Sequence, residues 1–151
     1  MQFILLTHSR EVAKTTNTGQ LIQQVTPRTQ TIIWQRTQPD KKLLDLIEST
    51  NTALVYPVEE NKSTATINDF ENFILIDSTW QEARKIYNRS SYLHSLPKIQ
   101  LSSASGSKYS LRRNQLEGGL CTVECAIALL RGGQRFDLAS ELDVLFREFI
   151  S

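Results

Sequence analysis

The sequence predicts a single α/β domain in which helices flank a mostly parallel β-sheet. Short apolar runs alternate along the chain with segments of helical periodicity, as expected when strands and helices follow one another. One run, Phe73-Ile74-Leu75-Ile76, is apolar without interruption, which is typical of a central parallel strand buried on both faces. With 151 residues, 40% of them hydrophobic, the chain can bury a core without disulfide bonds.

The first half of the chain contains four predicted elements. Residues 2–6 and 31–34 are short apolar or β-branched runs and are predicted strands. Residues 41–49 place their apolar side chains at helical spacing, which predicts a helix. Residues 53–56 form a third strand, which Pro57 ends.

The second half contains the central strand at 73–76 and a weak short strand at 99–101. Ser78 or Thr79 can cap a helix that continues to about Tyr87. Residues 122–130 are apolar on nearly all sides, which predicts a buried helix ended by Gly132-Gly133. Residues 136–150 predict an amphipathic closing helix with five inward side chains. These are Leu138, Leu142, Leu145, Phe146 and Phe149.

Composition excludes several classes of protein. Six Gly, four Pro and two Cys are too few for a collagen-like, low-complexity or disulfide-rich chain. No apolar run is long enough to cross a bilayer, and residues 1–6 are too short for a signal peptide. We therefore expect a soluble cytoplasmic protein with reduced thiols. Cys121 and Cys125 lie four residues apart without further ligands at a recognised spacing, so we expect small buried side chains and no metal.

Charge is distributed unevenly although the net charge is only +1. Residues 1–36 carry +3, residues 37–76 carry −4, residues 77–113 carry +5 and residues 114–151 carry −3. Such segregation can produce one basic face that binds nucleic acid, or it can reflect solvated surfaces alone.

Asp77 is the main candidate for chemistry. It follows the central strand directly, and ligands of open α/β sheets bind beyond the carboxyl ends of strands. Its carboxylate could accept a proton or hold a ligand, or it could cap the next helix. The helix dipole would favour the ionised form, whereas apolar Ile76 and Trp80 would oppose it, and the sequence leaves this balance open.

Two polar segments supply candidate ligands for RNA. The segment after the first strand offers groups suited to phosphate and sugar, or it is a solvated loop with a helix cap at Thr18. Residues 102–119 interleave an aromatic side chain with cations, which suits base stacking and phosphate binding as well as an ordinary basic loop. The candidate substrate-binding residues are His8, Arg10, Lys14, Asn17, Thr18, Lys108, Tyr109, Arg112 and Arg113.

Five motifs occur in order between residues 4 and 130. The sharpest is Asp77-Ser78-Thr79-Trp80, and the others are His8-Ser9-Arg10-Glu11 with residues 16–21, Leu54-Val55-Tyr56-Pro57, residues 109–113 and residues 118–126. Together they resemble the DTW-domain family, the tRNA-uridine aminocarboxypropyltransferases, whose signature is Asp-x-Thr-Trp.

The chain departs from the family pattern at three places. Ser9 stands where a proline is common, and Cys125 stands where the pattern has alanine after glutamate. The Cys-rich, zinc-binding segment that often begins family members does not precede the first strand. We therefore expect one DTW domain over residues 1–151 without a metal.

The resemblance implies a SPOUT-related fold with a C-terminal trefoil knot and S-adenosylmethionine as co-substrate. It implies transfer of the 3-amino-3-carboxypropyl group to N3 of a uridine in tRNA, which gives acp3U and methylthioadenosine. A SPOUT-like RNA methyltransferase and a non-catalytic RNA- or nucleotide-binding module are the alternatives. The expected partner is tRNA, without a membrane, and the chain is expected to be a monomer or a homodimer.

The resemblance also implies residue roles. Catalysis falls to Asp77, Thr79 and Trp80, with Asp77 as the base or orienting acceptor for the N3 proton. Arg112 or Arg113 would pair with the carboxylate of the donor or with phosphate, and Tyr109 or Trp80 would stack on uracil. The expected donor-binding residues are Tyr56, Pro57, Asp77, Leu101, Arg112, Gly119, Leu120, Thr122 and Glu124.

Overall fold

The computed structural model describes residues 1–8, 19–49, 51–57, 66–101 and 121–151. Five strands in these ranges form one sheet. They are β1 Gln2–Thr7, β2 Gln30–Ile33, β3 Thr52–Val55, β4 Asn72–Asp77 and β5 Lys98–Ile99. Their order is β2-β1-β4-β3-β5, and all four pairings are parallel. The predicted α/β fold with a parallel sheet is confirmed.

Six helices lie in the same described ranges. They are α1 Gly19–Val25, α2 Lys41–Ser49, α3 Trp80–Arg89, α4 Ser91–His94, α5 Thr122–Gly132 and α6 Phe136–Ile150. A 3-10 turn covers Ile67–Asp69. The sequence predicts α2, α3, α5 and α6 to within two residues, whereas α4 and the 3-10 turn are too short for a periodic signal.

The sheet separates two apolar cores. Phe3 and Phe73 lie on one face, where their ring centroids are 6.4 Å apart, and α1, α5 and α6 cover them. Ile4 and Ile74 lie on the other face beneath α2, α3 and α4. Successive strand residues point to opposite faces, so a strand covered on both sides must be apolar at every position. This explains the uninterrupted apolar run of β4.

The closing helix packs as its periodicity predicts. Leu142 and Phe146 are buried, and the other three inward side chains, Leu138, Leu145 and Phe149, are partly buried against the same core. None of the helices in the described ranges is long and apolar enough to cross a membrane. The predicted polar segment at 102–119 lies outside the described residues, so the C-terminal knot stays a prediction.

The connections that follow β1 and β4 run to opposite faces of the sheet. Strand β1 leads to β2 through α1 on one face, whereas β4 leads to β5 through α3 and α4 on the other face. The two strands are neighbours at the centre of the sheet. Open α/β sheets bind ligands where neighbouring strands send their connections to opposite faces. The carboxyl ends of β1 and β4 are therefore the expected ligand site.

Candidate active site

Four of the predicted site segments meet at the carboxyl edge of the sheet. Thr7 of β1 pairs in register with Asp77 of β4, and His8 follows directly. Tyr56-Pro57 follows β3, and Leu101 lies two residues beyond β5. Because all the strands are parallel, segments that follow them lie at the same edge.

Asp77 is buried at this edge, and a threonine hydroxyl holds it. Asp77 is 1% exposed and Thr122 is 6% exposed. Thr122 Oγ1 donates a hydrogen bond to Asp77 Oδ1 at 2.8 Å. Alternation along β4 directs Leu75 and Asp77 toward the layer of α5, so the first residue of α5 can reach the carboxylate. The bond orients a polar group whose burial would otherwise be costly.

The interpretation of Asp77 as a helix cap is wrong. Thr79 is the N-cap of α3, and its hydroxyl accepts a hydrogen bond from the backbone N–H of Glu82 at 3.3 Å. Asp77 still belongs to β4 and points away from α3. Of the two capping candidates, Ser78 and Thr79, the structure selects Thr79.

A second cap closes the first turn of α5 beside Asp77. The backbone N–H of Cys121 donates to Glu124 Oε1 at 3.2 Å, and the Cys121 side chain accepts from the backbone of the same turn. This reciprocal pair is a capping box in which sulfur replaces the usual hydroxyl. Glu124, an expected donor-binding residue, therefore helps to fix the backbone that carries Thr122.

The two cysteines are free thiols that pack against the core. Cys121 is buried and Cys125 is partly buried. Burial, with a smaller effect of the Glu124 charge, raises the pKa of both thiols, that of Cys125 to about 12. No cluster of three or more metal-ligating side chains occurs in the part of the chain that the structure describes.

An aromatic row lies on the other layer of the same edge. The ring centroids of Trp80 and Tyr56 are 5.5 Å apart, those of Tyr56 and Tyr87 are 4.1 Å apart, and those of Tyr87 and His94 are 4.5 Å apart. The planes of the Tyr56 and Tyr87 rings are nearly parallel, with an interplanar angle of 13°, and the two rings stack. Burial raises the pKa of Tyr56. Tyr87 adds a smaller effect in the same direction, and the Arg84 charge opposes both.

Tyr87 and His94 join this row although neither is among the predicted site residues. Trp80, Arg84 and Tyr87 recur at intervals of four and three residues, which places them on one stripe of a helix. That spacing was the available signal for an aromatic and basic helix face.

The side chains of two proposed catalytic residues lie on opposite faces of the sheet. Asp77 faces α5, whereas Trp80 contacts Tyr56 on the layer of α2, α3 and α4. The structure therefore brings Asp77 together with Thr122 and the end of β1, and it brings Trp80 together with Tyr56.

His8 directly follows β1 and lies near Trp34, the residue after β2. Its ring centroid is 6.1 Å from that of Trp34, and Trp34 Nε1 donates to Ser90 Oγ at 2.9 Å. His8 thus stands between Thr7 and an aromatic side chain that the α3–α4 junction holds in place.

The other expected site residues lie outside the described ranges, and their roles stay predictions. They are Arg10, Lys14, Asn17, Thr18, Lys108, Tyr109, Arg112, Arg113, Gly119 and Leu120.

The buried Asp77 lies where two parallel strands send their connections to opposite faces, which is the place at which open α/β sheets commonly bind ligands. The chain belongs to the DTW-domain family, whose model matches residues 1–151.

Comparison with curated proteins gives a consistent result. The chain is 26% identical over 137 residues to a Drosophila melanogaster protein named tRNA-uridine aminocarboxypropyltransferase 2, which covers 85% of this chain and 55% of that protein. Proteins of the same name from Macaca fascicularis and Mus musculus are 27% and 31% identical over 99 and 100 residues, which covers 60% of this chain and 32% of each. The chain thus spans about half or less of the length of these relatives. No solved structure is significantly similar to it.

Proposed function

We propose that this chain transfers the 3-amino-3-carboxypropyl group of S-adenosylmethionine to N3 of a uridine in tRNA. A bond forms between N3 and the carbon of the amino-acid arm next to sulfur, and the bond from that carbon to sulfur breaks. N3 loses its proton, and methylthioadenosine leaves with the electron pair. Membership of the DTW-domain family and the names of its curated relatives support this reaction.

The hydrogen bond between Thr122 and Asp77 is the observation that carries the proposal. It connects the family signature at the end of β4 with the late motif at the start of α5, 45 residues further along the chain. Both lie at the carboxyl edge, where β1 and β4 diverge. Two distant motifs that meet at the ligand edge of an α/β sheet are best explained by one shared ligand.

We assign Asp77 the role of base or orienting acceptor for the N3 proton, since uridine N3 is a poor nucleophile while protonated. Thr122 holds one carboxylate oxygen of this residue. The donor has three activated carbons on sulfur, and attack must be in line with the bond that breaks, so the orientation of the donor decides which group is transferred. We propose that Tyr56-Pro57, Leu101 and the first turn of α5 set this orientation.

Isotopically labelled donors test the transferred group directly. The purified protein is incubated with unmodified tRNA and S-adenosylmethionine labelled either in the carboxyl group or in the methyl group. We expect label to enter tRNA only from the carboxyl-labelled donor, with release of methylthioadenosine. Nucleoside mass spectrometry then identifies acp3U in the digested tRNA.

Other outcomes of this experiment identify the alternatives. Incorporation of the methyl label alone would make the chain an RNA methyltransferase and contradict the proposal. Binding of the donor without incorporation of either label into a complete tRNA pool would make it a binding module. The Asp77→Asn variant, whose side chain keeps nearly the same shape, serves as a comparison in which slower transfer is expected.

A further inference from the structure

The outer helices of the two layers carry opposite charge. Between residues 80 and 98, which include α3 and α4, there are four basic residues and one acidic residue. Helix α6, between residues 136 and 150, has four acidic residues and one basic residue. These helices pack on opposite faces of the sheet. Within the described residues, the segment that includes α3 and α4 is therefore basic and α6 is acidic.

The basic face also carries the aromatic row. Arg84, Lys85 and Arg89 are exposed on α3. Lys98 Nζ lies 5.5 Å from the centroid of the Tyr87 ring. His94 is exposed at one end of the row, where its Nε2 is 2.7 Å from the carbonyl oxygen of Tyr87. Arg84 lies on the same stripe of α3 as Trp80 and Tyr87, whereas Lys85 and Arg89 lie further round the exposed side of the helix.

We propose that this surface binds single-stranded RNA of the tRNA next to the target uridine. We define the α3–α4 surface by Arg84, Lys85, Tyr87, Arg89, His94 and Lys98. The identity of the RNA as tRNA rests on the proposed function. Cations that contact phosphates supply affinity, and aromatic side chains supply sequence-tolerant stacking of unpaired bases.

The position of the surface supports this occupant. Helix α3 begins three residues after Asp77, so an RNA strand lying along it leads to the carboxyl edge of the sheet. The Tyr56–Tyr87 stack fixes the middle of the row and leaves Trp80 and His94 as its two terminal rings. Helix α6 carries four carboxylates and only Arg147, which pairs with Asp143 at 2.9 Å, so this helix attracts phosphate less than α3 does.

A charge-matched pair of double variants tests the surface. Arg84→Ala/Arg89→Ala removes two charges from α3, and Arg131→Ala/Arg135→Ala removes two exposed charges from the opposite layer. Binding of an unmodified tRNA transcript is measured by fluorescence anisotropy over a range of salt concentrations. We expect the α3 variant to bind on the order of tenfold more weakly, with a salt slope shallower by about 1.4. The control should stay within about twofold of the wild type.

Photo-crosslinking provides a second measurement. It uses the wild-type protein, so its result does not depend on whether a variant folds. An oligoribonucleotide containing 4-thiouridine is crosslinked, and the modified peptides are mapped. Crosslinks within residues 80–98 support the proposal. Crosslinks confined to α6, or equal loss of tRNA affinity in both double variants, overturn it.

The outcomes separate this inference from the proposed function. If the α3 variant retains wild-type tRNA affinity while the enzyme still incorporates the carboxyl label, the surface is not the RNA site and the reaction stands. If RNA binds through α3 but no label is incorporated, the reaction fails and the surface stands. If the α3 variant sediments differently from the wild type but binds tRNA equally well, the surface mediates self-association and the proposal is contradicted.

Discussion

Thr122 Oγ1 donates a hydrogen bond to Asp77 Oδ1 at 2.8 Å and thereby joins the start of α5 to the end of β4. Both residues are buried. The contact links a helix of the outer layer to the central strand at the edge where Thr7 pairs with Asp77. Packing and the proposed chemistry therefore meet in one carboxylate, and substitutions can separate the two.

Thr122→Val removes the hydroxyl donor and keeps the shape of the side chain. Because the buried Asp77 oxygen loses this partner, we expect the free energy of unfolding to fall by about 1–3 kcal/mol. We also expect kcat for transfer to fall, since the hydroxyl no longer orients Asp77 Oδ1. Urea unfolding and steady-state kinetics measure the two effects.

Thr122→Ser is the matched control for this prediction. It keeps the hydroxyl and loses only a methyl group, so it should retain most of the stability and activity that Thr122→Val loses. A Thr122→Val protein with wild-type unfolding and wild-type kcat would show that the hydrogen bond contributes to neither.

Asp77→Asn tests chemistry apart from packing. The amide oxygen can still accept the hydrogen bond from Thr122, so stability should change little. An amide cannot act as a base, and general base catalysis typically contributes about 10²–10⁴-fold. We expect kcat to fall within that range while S-adenosylmethionine binding, measured calorimetrically, stays close to that of the wild type.

Glu141→Gln on α6 is the charge-matched control, because this carboxylate is exposed on the opposite layer from α3. It should leave kcat unchanged. Transfer by Asp77→Asn at a rate close to that of the wild type would remove Asp77 from the proton-transfer step.

The sequence predicted the sheet well because burial on both faces leaves a strong pattern. The apolar run at 73–76 identified β4, and the periodicity of 136–150 identified α6 with its inward residues. The position of Asp77 at the end of a central strand followed from the same run. Strand ends differ by one or two residues because their backbone bonds depend on neighbouring strands rather than on local composition.

The role of Asp77 could not be decided locally. Its hydrogen-bond partner is 45 residues away, and no local rule distinguishes a carboxylate that caps α3 from one that faces α5. The layer of each side chain depends on strand alternation together with the handedness of the connections. For that reason the sequence placed Asp77 and Trp80 in one site, whereas the structure directs them to opposite layers.

Thr79→Ala tests the N-cap of α3. The variant removes the oxygen that accepts from the backbone N–H of Glu82, so we expect the free energy of unfolding to decrease by about 0.5–2 kcal/mol. Thr79→Ser should restore most of this loss, because serine caps helices at least as well as threonine. Equal stability of the alanine and serine variants in urea would show that the cap does not contribute.

Because the two thiols are buried, we expect them to react slowly with disulfide reagents near neutral pH. Burial, with a smaller effect of Glu124, raises the pKa of Cys125 to about 12. Only the thiolate reacts with disulfide reagents. At about pH 8, roughly a quarter of the molecules of a free thiol with a pKa of about 8.5 are in the thiolate form. The folded chain should therefore react about a thousandfold more slowly than free cysteine, whereas the chain unfolded in guanidinium should react at both Cys121 and Cys125.

The raised pKa of Cys125 also makes the free energy of unfolding depend on pH in the alkaline range. The folded state holds the Cys125 proton more tightly than the unfolded state, so this contribution is complete below about pH 8.5 and is lost as pH rises toward 12. Cys125→Ala removes this proton from both states. Its free energy of unfolding should fall less steeply between about pH 9 and 11 than that of the wild type, by at most about 1.4 kcal/mol per pH unit. Parallel pH profiles for the two proteins, or rapid labelling of the folded wild type, would show that the thiol is not buried as the structure has it.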